Sequence, residues 1–160
     1  MRLRSLNVFV FLLLLSIPFF AQPQNEPTLQ DATRNALPKE ISTSEIVRAV
    51  NGGVWNSSRT AVAISIHMAS KPSILFVFIK LDSGRYKAAD VSGVEAASLG
   101  VLGISKKGNY DRVETTPIEW LPRDDGRFQV VMRTRAWKAG QRYTVSERLL
   151  ITSDGTPLYR

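Results

Sequence analysis

Arg133, Arg135, Trp137, Arg142 and Arg148 all fall within residues 127–151, "RFQVVMRTRAWKAGQRYTVSERLLI", which hold five arginines, one lysine and three aromatics. Guanidinium groups grip carboxylates and phosphates with paired hydrogen bonds, and an indole offers a flat face for stacking. The chemistry this suggests is recognition of an anionic or planar partner. The competing reading is plain: charge runs are mostly the solvated face of an ordinary element.

Bond-making chemistry finds little support. The chain has no cysteine, so thiol nucleophiles and cysteine-type metal sites are excluded. His67 is the one histidine. It lies in an alternating segment among small residues, where a hydrogen-bonded core histidine is expected. A serine–histidine–aspartate triad through His67 lacks the "GxSxG" turn, and a zinc site needs more ligands. Neither "GxxxxGK[ST]" nor "GxGxxG" occurs, and "GVLGISKKG" reads as a solvated turn. Carboxylates for glycoside hydrolysis exist in Glu95, Glu114, Glu119, Asp124 and Asp125, but no spacing sets two of them across a cleft. No metal and no cofactor is expected.

The start of the chain differs from the rest. Arg2 and Arg4 precede the apolar run "LNVFVFLLLLSIPFFA", which ends on Ala21. A basic start, a run of this size and a small final residue describe a secretory signal over residues 1–21. Phe19 stands where a second small residue is usual, so a retained anchor is the alternative. Either way the remainder is expected outside the cytoplasm, and the lack of cysteines favours a bacterial periplasm over a disulfide-forming compartment. Without Arg2 and Arg4 the balance is 19 basic against 14 acidic residues, a modest excess. It favours anionic envelope components as partners and gives no reason to expect nucleic acid.

Residues 22–38 read as a flexible spacer or short helix, and residues 39–160 as one domain. "TLQDATRNALP" has room for a helix ending before Pro38. "STSEIVRAVNGG" is a clearer helix, with Ser42 and Glu45 as a capping box and Gly52-Gly53 as the stop. Beyond it "TAVAISIHMA" alternates. Val62, Ile64 and Ile66 share one face, and Ala61, Ala63, Ser65 and His67 share the other. The small-residue face is expected to receive the helix. "SILFVFIKL" is apolar on both faces, as a central strand is. Residues 92–105 fit either a short helix or a bent strand. Trp55 is expected to plug the end of the core.

The order is thus helix first, then six to seven short strands. It predicts an α+β fold with a helix on one curved antiparallel sheet, the plan of cystatin-like and NTF2-like architectures. A small antiparallel β-barrel is the alternative.

Residues 127–151 form a hairpin in this scheme. "KAGQ" turns the chain, so Arg135 opposes Thr144, Arg133 opposes Ser146 and Val131 opposes Arg148. Phe128, Val130, Met132 and Thr134 then face the core. The arginines surround Trp137 on the other face, with no acid in register between these two strands. Glu147 falls on the core face opposite Met132. It calls for a bulge that turns it out, an ion pair with an arginine, or a role as a cavity acid. The function expected is a non-catalytic exported or envelope-associated protein, such as an inhibitor, an immunity-type protein or an accessory subunit. Its partner would be a protein or an anionic envelope component. A small carboxylate hydrolase is the alternative.

Overall fold

The computed structural model describes residues 28–68, 71–102 and 110–158. Residues 1–27, which include the expected signal, residues 69–70, the "GISKKGN" stretch at 103–109 and residues 159–160 lie outside the described residues. Among the described residues three helices and eight strands form an α+β fold.

Two helices open it. In α1 (Leu29–Ala36), Thr28 and Asp31 form a capping box. The same device starts α2 (Thr43–Asn51), where the Ser42 amide donates to Glu45 Oε2 at 2.9 Å. Each box satisfies helix-end amides that would otherwise lack partners, a contribution of about 1 kcal/mol. The short helix expected before Pro38 is α1.

The strands divide between two antiparallel sheets, one of them curled into a half-barrel, rather than building a single curved sheet. The first has the order β1 (Val54–Trp55), β2 (Ala61–Met68), β3 (Lys71–Lys80) and β4 (Tyr86–Ala89). Then α3 (Ser92–Val101) intervenes, which decides residues 92–101 in favour of helix. The second sheet follows in the order β5 (Arg112–Leu121), β6 (Phe128–Lys138), β7 (Gln141–Ile151) and β8 (Pro157–Leu158).

Three layers result. Ile46 and Val50 of α2 pack with Leu37 on Val62, Ile64 and Phe78 of the first sheet. Its other face sets Ala61, Ala63, Val77 and Ile79 against Val130, Met132, Leu149 and Ile151 of the second sheet. The helix expectation for β2 is therefore reversed. The large side chains of β2 and β3 interlock with the helical stripe, while the alanines let the second sheet come close. Ser65 shows that closeness, its hydroxyl donating to the Thr115 carbonyl at 3.1 Å. The backbone of His67 lies in β2, but its side chain is outside what is described.

Trp55 is half-buried against the helix-side core, and its indole N–H donates to the Val50 carbonyl at 3.2 Å. Asn56, which matches a glycosylation triplet, has a local task. Its Oδ1 accepts from the Thr60 and Ala61 amides at 2.9 Å each and shapes the turn into β2.

Candidate functional site

The second sheet owes its sidedness to alternation. Along β6, Val130, Met132, Thr134 and Ala136 are buried, while Val131, Arg133, Arg135 and Trp137 are half-buried. A period of two puts successive side chains on opposite faces, so one register fits. The β6–β7 pairing is the one expected: Arg135 with Thr144, Arg133 with Ser146, Val131 with Arg148 and Met132 with Glu147.

The hairpin tip is tight. Ala139 and Gly140 both have positive φ, 49° and 77°. Two left-handed residues match the twist of the strands, but alanine there is strained. The residue just before β5 compensates. The Ala139 amide donates to Asp111 Oδ2 at 3.0 Å, and the Asp111 amide donates to the Trp137 carbonyl at 2.8 Å.

Strand β5 changes the composition of the arginine face. It runs unbroken from Arg112 through Pro117, with a bulge between Pro117 and Glu119. Arg112 pairs with Trp137, Glu114 with Arg135 and Thr116 with Arg133. An acid in register is thus present, supplied from a strand outside the hairpin. Glu114 is buried and ion-paired with Arg112, whose guanidinium lies 5.2 Å from the Trp137 ring centroid. The carboxylate beside Trp137 and Arg135 is therefore already engaged.

Arg133, Arg135, Arg142 and Arg148 form no ion pair among the described residues. None of the four lies directly opposite another. Their cross-strand partners are Ser146, Thr144, Trp137 and Val131, which leaves only diagonal repulsion, some tenths of a kcal/mol. The relief of strain on binding an anion is correspondingly small. Glu119 also emerges on this side, opposite Val131 at the far end from Trp137.

Sequence reasoning missed Arg112, and it named Glu114 only as a hydrolytic candidate, not as a member of the arginine face. The signal was available in "RVETT", whose alternation puts Val113 and Thr115 inward and Arg112 and Glu114 outward. Pro117 obscures it, because a proline within a run argues against a paired strand.

Glu147 keeps continuous register, so no bulge turns it outward. It is half-buried, and its carboxylate accepts a hydrogen bond from Ser98 of α3. Ser98 itself is fully buried, which gives the carboxylate a donor instead of an arginine partner. The crevice beside Glu147 has a volume of about 40 Å³, room for a water and not for a substrate. The larger cavities lie away from the arginines. One of about 570 Å³ lies between β3, β4 and α3, and Glu95 and Asp90 line it. The hydrogen bond from Ser92 holds Asp90 below the usual aspartate range, ionised at neutral pH.

Asp124 and Asp125 occupy the turn before β6. Hydrogen bonding from Arg123 holds Asp125 far below its ordinary value. Among the described residues no three His, Cys, Asp or Glu gather as a metal set, and no helix is long and apolar enough to cross a membrane. Against known proteins, the chain matches no family model, no curated sequence and no solved structure.

Proposed function

We propose that this protein is a non-catalytic binding or envelope-associated protein of the periplasm that meets an anionic or protein partner with the arginine–tryptophan face of its second sheet. An inhibitor, an immunity-type protein and an accessory subunit all fit this reading. The observation that carries it is the row of four guanidiniums with no ion pair among the described residues, running along one face from Arg142 beside the half-buried Trp137, through Arg135 and Arg133, to Arg148 at the far end rather than surrounding the indole. Arg112 and Glu114 fix the indole from one side and leave those cations outward. The fold-level comparison we keep is a helix laid on a curved antiparallel sheet, as in cystatin-like and NTF2-like architectures, which carries no function by itself.

The hydrolase alternative gains no observation of its own. Glu114 is engaged by Arg112, Glu147 by Ser98, and Asp125 by Arg123. Asp90 and Glu95 line the same cleft, and no observation sets them as the opposed pair that hydrolysis needs.

The test is binding to anionic probes, phosphatidylglycerol vesicles and soluble polygalacturonate, followed against salt concentration. The expected result is binding that falls with salt and weakens at least about tenfold in the double variant Arg133→Ser/Arg135→Ser, while the unfolding midpoint stays in place. Equal binding by the variant overturns the proposal.

A further inference from the structure

We infer that the arginine face takes an acidic, extended peptide segment of a partner protein, added as a strand along the open edge of β7. The inference rests on the anion-binding reading proposed above and narrows it to one class of ligand.

The hairpin fixes where the free backbone points. Ala139 and Gly140 make a two-residue turn closed by Lys138 and Gln141. The closing pair of such a hairpin exchanges both backbone hydrogen bonds, and every second pair beyond it does the same. Those pairs are Ala136 with Tyr143, Thr134 with Val145 and Met132 with Glu147. Arg142, Thr144 and Ser146 therefore turn their N–H and C=O away from β6. Two observed bonds keep the same phase. The Asp111 amide reaches the Trp137 carbonyl on the β5 side, and the Thr152 amide reaches the Thr156 carbonyl on the β8 side. β8 pairs with Leu150 and Ile151 alone. Among the described residues no strand lies across from residues 142–146, and Arg142, Thr144 and Ser146 are exposed.

The side chains name the occupant. Each of these outward residues is an arginine or has one opposite it in β6: Arg142 itself, Arg135 across from Thr144, and Arg133 across from Ser146. Thr144 and Ser146 are short, so the β6 guanidiniums have a path over them to the edge. An added strand would lie two strand spacings from β6, about 10 Å, within the combined reach of an arginine and a glutamate. Its side chains would return to this face at every second residue, in step with the row. An acid at each of those positions gains one guanidinium, and charge-assisted pairs are the strong ones. The residues between them would fall beside the half-buried Tyr143 and Val145, which favours threonine or valine.

Charge also sorts the competitors. Arg142 and Arg148 guard the edge against basic strands and against a second copy. Two copies joined with Val145 against Val145 would set Arg142 of each opposite Arg148 of the other, and directly opposed like charges destabilise a pair. A polysaccharide or a lipid headgroup would engage the guanidiniums but leave the edge N–H and C=O groups to water. An acidic strand answers both sets.

The test uses the whole chain and an end-capped heptapeptide alternating threonine and glutamate, threonine first. Glutamates that face the arginines stand opposite Arg142, Thr144 and Ser146, so their amides are the ones that point at β7. Fluorescence anisotropy should show the plain peptide binding, the form N-methylated at its glutamates at least about tenfold weaker, and the form N-methylated at its inner threonines within about threefold of the plain one. Hydrogen exchange at the Thr144 and Ser146 amides should be fast in the free chain and slow by at least about tenfold with peptide. Arg133→Ser/Arg135→Ser should weaken the plain peptide at least about tenfold with the unfolding midpoint in place. Equal binding of the two methylated forms overturns the inference. So do Thr144 and Ser146 amides that are slow before peptide is added. Absence of peptide binding at millimolar concentration, while phosphatidylglycerol vesicles or polygalacturonate bind, overturns it too and leaves the anion-binding reading standing. Failure of every anionic probe removes both.

Discussion

The two sheets use opposite rules. β2 and β3 are apolar on both sides, because helices cover one face and the second sheet covers the other. β6 and β7 alternate strictly, because only one face is covered. A mistake in the first sheet has nowhere to go, whereas the outer face of the second tolerates any side chain that water accepts. Stability and surface chemistry are thereby housed in different strands.

The sharpest way to break this contrast is Phe78→Ala. Phe78 is fully buried in the first sheet, and its loss should cost about 3–5 kcal/mol in urea unfolding. A cost under 1 kcal/mol would show that the helix-backed layer is loose. Gly53→Ala should come next, at about 1–3 kcal/mol by the same measurement, because overpacking strains a close approach. A Cβ there would stand 2.7 Å from Val62 Cγ2 and 3.1 Å from Ile64 Cγ1, both held by the packed sheet.

Ser98→Ala probes the covered side of the second sheet. Without the hydroxyl the half-buried Glu147 loses its donor, and about 1–2 kcal/mol should vanish. On the open side, Arg133→Ser/Arg135→Ser should leave stability within about 0.5 kcal/mol. A collapse of that variant would mean that the arginines hold the fold, and the division of labour would fail.

The smallest effect concerns acid. Asp125 is depressed by Arg123, so its contribution to stability is present above the aspartate range of the unfolded chain. It is lost as pH falls through the lower folded value. Asp125→Asn should therefore be slightly less stable at neutral pH, and its acid unfolding curve should converge with that of the parent below about pH 2, both followed by circular dichroism.

The β6–β7 register was legible from the chain alone, since a one-residue slip would turn Val130 and Met132 out and Arg133 in. α2 was legible because Ser42, Glu45 and Gly52 mark both ends. The partition into two sheets was not, since alternation within a strand says nothing about which strand lies beside it. The β2 face was misread for a related reason. Small residues signal close approach, but they do not name what approaches. Glu147 could be placed but not partnered, because Ser98 lies 49 positions away in the chain, on a segment whose alanines and glycines pulled in two directions.

The Asp111 carboxylate on the Ala139 amide has a consequence for the hairpin tip. A turn strained at alanine would ordinarily relax or fray, letting Trp137 and Arg142 drift apart. Clamped from the neighbouring strand, the indole and the guanidinium keep their separation before anything arrives. Whatever settles on that edge meets a rigid template, and little disorder remains to be frozen out at contact.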